Sequence, residues 1–264
     1  EQILCPQQAG SLTLEHLEKL KSISGKGLKT GISGLDRILL PMRGGELIPV
    51  IGNTSNYKSG LMDFIAGSAT NQIMGFENEI VICATWEQSV EESTLNWVAR
   101  HSHLSLSSLT RGSVSDNDWK VVMKAYSDRL SVPMWIIGHS LENSTSRPRL
   151  TMNDVYQGVE YICEKATDQI LKPRLILLDY LQRIRPDKGD GGTRREQMME
   201  AVNKAKDLAV AFGATVLLGV QATRDVLDRK NKLPRMDDGQ ETSNIEQSAD
   251  KVLSVWYPIK SEEA

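Results

Sequence analysis

The stretch that most constrains this chain is residues 48–60, IPVIGNTSNYKSG. A short apolar run, 47–51, ends in Gly52, and six residues later come Lys58 and Ser59, followed by a helix-like segment. This is the layout of a phosphate-binding loop, in which a strand feeds a tight turn whose N–H groups and following helix N-terminus face an anion. Gly52, Asn53, Thr54, Ser55, Asn56, Tyr57, Lys58 and Ser59 are therefore expected to form a nucleotide site. Lys58 is expected to reach the β- and γ-phosphates and the Ser59 hydroxyl to ligate Mg²⁺. One position departs from the usual G-x-x-x-x-G-K-[ST], because Tyr57 stands where the second glycine belongs. A glycine there lets the backbone pass close to the nucleotide. A tyrosine requires a ring that points away from the phosphates; otherwise the loop binds nucleotide weakly or not at all.

With 264 residues, 40 % hydrophobic and 25 % charged, the chain has the composition of an ordinary globular protein and room for one large α/β domain plus a short extension. A net charge of −3 does not exclude nucleic acid, because a local basic channel can coexist with an acidic total. The longest apolar runs are strand-sized, so no membrane span is expected. Cys5, Cys83 and Cys163 are scattered without metal-ligand spacing and read as reduced thiols of an intracellular, cytoplasmic protein. The chain opens at Glu1 with no signal-like segment and reads as a fragment of something longer.

Ahead of the loop, 11–22 carries Leu12, Leu14, Leu17 and Leu20 near helical spacing, with Ser11 or Thr13 as N-cap. This predicts a linker helix whose apolar face is buried on its own domain or on a neighbouring subunit. After the loop, 61–74 reads as a helix and 79–87 as a buried strand ending in Trp86 and Glu87. A carboxylate at the C-terminal end of a parallel strand sits where such sheets bind ligands, and Glu87 there could polarise an attacking water. Residues 90–101 and 115–129 read as helices, with Trp119 a packing aromatic; 132–138 reads as a strand, and 151–166 as a helix capped by Thr151 or Asn153.

The second anchor is RLILLDYLQRI, 174–184, an apolar strand ending at Asp179 in the form of a Walker B acid that binds Mg²⁺. A glycine-rich loop, 186–196, then leads through Arg194 and Arg195 into a helix that stops at Gly213. The strand 214–221 ends in Gln221, whose amide is placed to sense a γ-phosphate. Residues 224–250 form a long polar excursion of the kind that is functional or disordered, and 251–258 returns as a last strand. Strands alternating with helices from 47 to 257 predict a mostly parallel, doubly wound sheet.

Together these segments resemble the motor domain of replicative DNA helicases of the DnaB type, within the RecA-like P-loop ATPases. The resemblance runs from about Thr30 to Tyr257, through TGISGLDRIL, the loop, ATWEQS, LTRGSVSDNDW, LILLDYLQRI, GVQATR and NIEQSADKVL. It divides the chain into a segment with the linker helix, 1–29, and an ATPase domain, 30–264. It implies ATP and Mg²⁺ as ligands, Glu87, Lys58 and Gln221 as catalytic residues, and Asp179 beside Ser59 at the metal. It further implies a homo-oligomeric, hexameric ring in which the linker helix docks on the next subunit, a primase or helicase loader as partner, no membrane, and single-stranded DNA held by its backbone. The DNA-binding loop of the family corresponds to 234–244, which assigns Arg235, Gln240, Glu241, Thr242 and Ser243 to DNA. Gln240 stands where the family often has a phosphate-contacting arginine, which weakens backbone binding and its salt dependence. No arginine follows Arg235, so the family's arginine-finger hairpin is expected beyond this stretch, or else hydrolysis is slow. The rival readings are a regulatory RecA-like ATPase that uses ATP for assembly, and a non-hydrolysing scaffold or DNA-binding module whose altered loop no longer turns over nucleotide.

Overall fold

The computed structural model describes residues 5–22, 27–142, 150–187, 192–229, 231–239 and 245–258. In chain order the elements are α1 (Pro6–Ser22), α2 (Ser33–Asp36), β1 (Leu47–Gly52), α3 (Lys58–Ile73), β2 (Glu79–Thr85), α4 (Val90–Ser102), α5 (Leu106–Thr110), α6 (Asp116–Leu130), β3 (Met134–Ile137), α7 (Met152–Glu164), β4 (Lys172–Asp179), α8 (Arg194–Phe212), β5 (Thr215–Gln221), α9 (Ile245–Ser248) and β6 (Leu253–Val255). The six strands form one sheet in the order β3-β2-β4-β5-β1-β6, and every pairing is parallel. This is the expected sheet, and its parallel character explains the unbroken apolar runs: β1 is buried at all six positions, as strands covered on both faces are.

Two apolar layers enclose the sheet. One packs Met62, Ile65, Ala66 and Ala69 of α3 against Ile48, Val50, Leu175 and Leu217. The other packs Val155 and Val159 of α7 and Val202, Ala205 and Leu208 of α8 against Ile51, Ile176, Leu178 and Val216. A third, smaller cluster joins α4 to α6 through Trp97, Val98, Val122 and Ala125. The helix starts follow local chemistry. Ser89, Thr151 and Thr193 cap α4, α7 and α8, each in a reciprocal capping box with an acid three residues on. Gly213 closes α8 in the left-handed region at φ 59°.

Several expectations are revised. Helix α1 begins at Pro6, not near residue 11, because proline suits a first helical turn. Ser11 and Thr13 lie inside it, and the Thr13 hydroxyl donates back to the Ala9 carbonyl (2.7 Å) instead of capping. Leu12, Leu14 and Leu17 are 48, 59 and 54 % exposed, so burial on their own domain is not what the structure shows. Helix α3 starts at Lys58, three residues early, and Thr151 rather than Asn153 caps α7. Trp119 is 54 % exposed on α6 and not a core aromatic.

The excursion after β5 is partly built. Single 3-10 turns at Arg224–Asp228 and Met236–Asp238 are bolted together by Arg229, whose guanidinium donates twice to the Asp238 carboxylate (2.8 and 2.5 Å). At the far end, Asp250 grips the start of β1. Its carboxylate accepts from the Leu47 N–H (2.8 Å) and from Lys206 (2.7 Å), and its own N–H donates to the Leu47 carbonyl.

A candidate nucleotide-binding site at the carboxyl edge of the sheet

Strands β2, β4, β5 and β1 are consecutive neighbours, so the residues that follow their C-terminal ends converge on one edge. That edge, outside the carboxyl ends of parallel strands, is where open α/β sheets bind ligands. Glu87 follows β2, Asp179 ends β4, Gln221 ends β5, and the loop 53–57 joins β1 to α3, whose first residues are Lys58 and Ser59. The structure thus brings together all the residues assigned from the sequence to catalysis, nucleotide and metal.

Three contacts lock the edge. The Trp86 N–H donates to the Asp179 carbonyl (3.1 Å), which ties β2 to β4 where each ends. The Gln221 side-chain amide donates to the Thr54 hydroxyl (2.8 Å), joining the end of β5 to the loop. Gln182, just past Asp179, clasps the Gln221 backbone, accepting from its N–H (3.1 Å) and donating to its carbonyl (3.5 Å).

The electrostatics are those of charges withdrawn from water and set against one another. Lys58 is only 8 % exposed. Burial pushes its ammonium below the ordinary lysine value, while Asp179 and Glu87 pull the other way. Burial likewise raises the Asp179 carboxyl, opposed by a hydrogen bond from the Ser59 hydroxyl and by Lys58. Burial set against specific charge partners in this way is the arrangement by which active sites perturb their titratable groups. The Lys58 ammonium lies 4.7 Å from the centroid of the Tyr180 ring, a cation–π contact.

Two buried atoms at this edge are left over. Asn53 Nδ2 in the loop and Asp179 Oδ1 have no hydrogen-bond partner among the described residues. Buried polar groups are nearly always satisfied, so a donor and an acceptor set into this edge are what a phosphate and a cation would complete. The described residues contain no group of three or more His, Cys, Asp or Glu able to hold a metal alone. A cation held by Ser59 and Asp179 would share its shell with phosphate oxygens and water, the habit of Mg²⁺.

Tyr57 shows why glycine is usual at its position. Its backbone is left-handed, φ 58° and ψ 26°, a region that costs an L-residue about 1–2 kcal/mol. Its ring stands edge-on to Tyr257, just beyond β6, with centroids 4.9 Å apart and planes at 78°. Because β1 lies between β5 and β6, the two side chains diverge: Lys58 leans toward the β4–β5 side and Tyr57 toward the β6 side. The ring occupies the flank of the loop opposite the lysine, the arrangement a tyrosine here requires.

Sequence reasoning missed the supports. Gly219, in the middle of β5, faces Asp179: a Cβ there would lie 3.1 Å from Asp179 Oδ1 and 3.1 Å from Tyr180 Cβ. A glycine interrupting an apolar strand was the available signal, since it marks a close approach. Gln182 and Tyr180 lay in the LDYLQ run, but nothing in local pattern gave their partners. Of the residues assigned to DNA, Arg235 is exposed at the start of the 236–238 turn, where its N–H donates to Asp238 (2.7 Å). Gln240, Glu241, Thr242 and Ser243 lie outside the described residues.

A six-stranded parallel sheet with a phosphate loop after its first strand and acids at neighbouring strand ends defines a class, the RecA-like P-loop α/β proteins. Solved structures agree on the fold: one titled as an ATPase domain superposes with a TM-score of 0.80 at 17 % identity, covering 96 % of this chain and 85 % of its own. A DnaB-like replicative helicase described with its primase interactions superposes at 0.77 and 16 % identity, covering 100 and 59 %. The profile of the DnaB-like helicase C terminal domain matches residues 27–263, and the chain belongs to that family. Among curated relatives, the replicative DNA helicase DnaB of Mycoplasma genitalium is 25 % identical over 87 % of this chain and 46 % of its own length. The replicative DNA helicase DnaC of Bacillus subtilis is 24 % identical over 92 and 50 %. The chain spans about half the length of the curated relatives it matches.

Proposed function

We propose that residues 30–264 are the ATP-hydrolysing motor of a replicative DNA helicase, which works in a ring of identical subunits on single-stranded DNA in the cytoplasm, with primase or a loader as further partners. The observation that carries this reading is the convergence of Lys58, Ser59, Asp179, Glu87 and Gln221 on one sheet edge, with Asn53 Nδ2 and Asp179 Oδ1 left for a ligand. In this reading the loop N–H groups and Lys58 bind the phosphates of ATP. Ser59 and Asp179 hold Mg²⁺, which when bound neutralises phosphate charge. Glu87, exposed at the mouth, orients the attacking water and accepts its proton. Gln221, hydrogen-bonded to Thr54, registers the state of the loop at the end of β5. Movement of the segment after β5 between nucleotide states would carry DNA held by Arg235 and residues 240–243.

Ring assembly is supported by two complementary surfaces. Helix α1 presents Leu12, Leu14 and Leu17 to solvent. An open groove of about 810 Å³ between α4, α5 and α6 is lined by Leu95, Val98, Trp119, Met123 and Tyr126. Patches of this kind mark interaction sites, and the linker helix of one subunit seated on the next would cover both. No described helix is long and apolar enough to cross a membrane.

The deciding experiment is ATP hydrolysis with and without single-stranded DNA, in wild type and in Glu87→Gln. The expected result is turnover raised by DNA and reduced about 10²–10⁴-fold in the variant, the range for losing a general base. DNA-independent turnover would favour a regulatory ATPase, and no turnover with intact DNA binding a scaffold.

A further inference from the structure

The left-handed backbone at Tyr57 needs a reason to persist. Glycine adopts that conformation freely; tyrosine does not. Strained positions endure where the surroundings over-determine them, and one neighbour is placed to do so. The Tyr257 ring meets the Tyr57 ring at 4.9 Å and 78°, the edge-to-face geometry aromatic pairs prefer. A Cβ on Gly60, in the first turn of α3, would be 3.9 Å from Tyr57 Cβ and Cδ1, an ordinary van der Waals separation, so α3 does not crowd the ring. Tyr57 is otherwise 61 % exposed. Tyr257 follows β6, which is hydrogen-bonded to β1 in register through Gly52 and Val255, so its ring is presented from a strand anchored beside the loop.

We propose that Tyr257 is a positioning residue for the phosphate loop: it seats the Tyr57 ring on the flank away from Lys58 and so holds residue 57 in the left-handed conformation that aims the loop N–H groups at phosphate. The inference rests on the nucleotide-site reading above. Its consequence is a reciprocal pair. With Tyr57 present, removing the Tyr257 ring frees the loop to leave the binding conformation, and apparent affinity falls by the fraction of molecules that do so. With glycine at 57, the loop needs no holding and Tyr257 becomes dispensable.

The test is a double-mutant cycle on Tyr57→Gly and Tyr257→Ala, with Tyr257→Phe as the variant that keeps the ring. Two quantities are read: the dissociation constant for a fluorescent ATP analogue with Mg²⁺, and the denaturation midpoint of the nucleotide-free protein. Tyr257→Ala is expected to weaken nucleotide binding about two- to tenfold, the range an aromatic pair carries, and to lower the midpoint. In the Tyr57→Gly background it should change affinity by less than twofold and shift the midpoint less, while Tyr257→Phe should bind as wild type does. Equal losses of affinity in both backgrounds would overturn the proposal, since Tyr257 would then act on the nucleotide or the fold directly. Additive midpoint shifts would overturn it too, as would binding seen in Tyr57→Gly but absent from wild type. If neither wild type nor Tyr57→Gly binds nucleotide while the midpoints remain non-additive, the nucleotide reading fails and the ring contact survives as a purely structural one.

Discussion

Asp179 is held in place by what is missing beside it. Gly219 leaves the space that Asp179 Oδ1 and Tyr180 occupy, with Met62 Sδ closing the third side at 3.3 Å from where a Cβ would stand. In Gly219→Ala the added methyl meets three neighbours, each tighter than ordinary van der Waals contact, inside a strand buried at six of its seven positions. The expected cost in stability is about 1–3 kcal/mol, the usual range for overpacking, measured by denaturant unfolding. Displacement of the carboxylate should also raise the Mg²⁺ needed for half-maximal ATP hydrolysis several-fold, while metal-free nucleotide binding changes little. At this scale the sequence was informative about identity and silent about support. Lys58, Ser59, Asp179, Glu87 and Gln221 could be placed because spacing and strand-end position announce them. Gly219, Gln182 and Tyr180 act through partners that no local pattern encodes. Tyr57 was legible as an anomaly, but its significance is a backbone angle, which appears only in three dimensions.

Among elements, the segment between β5 and β6 departs furthest from its sequence. Polar and long, it offered no periodicity, yet its first part is fixed by one carboxylate. Asp238 is 2 % exposed. Burial raises its carboxyl, but the hydrogen bonds from Arg229 and from the Arg235 N–H outweigh that and leave it below the ordinary value. A carboxyl depressed in the folded state lends stability above its unfolded value, about pH 4, and this is lost as pH falls through the folded value. The 224–238 segment is therefore expected to loosen below about pH 4, seen as faster pepsin cleavage within it. Asp238→Asn should loosen it already at neutral pH, seen as faster tryptic cleavage after Arg229. Unchanged cleavage would show that other contacts hold the turns. The same reasoning explains which helices were placed well. Helices α4, α7 and α8 carry capping boxes, a local signal, whereas α3 has no side-chain cap and its early start at Lys58 depends on the turn that precedes it.

At the scale of the molecule, two exposed apolar surfaces stand out among the described residues. They are the leucines on α1 and the groove between α4 and α6, and the ring reading pairs them between subunits. Replacing Leu14 and Leu17 by glutamate should shift the protein from ring to monomer in sedimentation velocity, and Trp119→Ala should do the same more weakly. Monomer folding, followed by circular dichroism, should be unaffected because none of the three is buried in its own chain. An unchanged sedimentation profile would remove this surface from the assembly.

The place of β1 in the sheet also fixes an order of events. The strand that carries the phosphate loop is the first of the six described, yet its two hydrogen-bonded neighbours are β5 and β6, the last of them. The Leu47 N–H finds its acceptor on Asp250, 203 residues later. On a ribosome adding about 5–20 residues per second, roughly 10–30 s separate the emergence of β1 from that of β5. Throughout that interval an apolar strand ending in glycine, and the loop that follows it, wait without a partner, so this sheet closes only after β5 has been made. Long-range parallel pairing is slow for the same reason. Exposure of β1 during synthesis makes the nascent chain, more than the finished domain, the form in need of protection from aggregation.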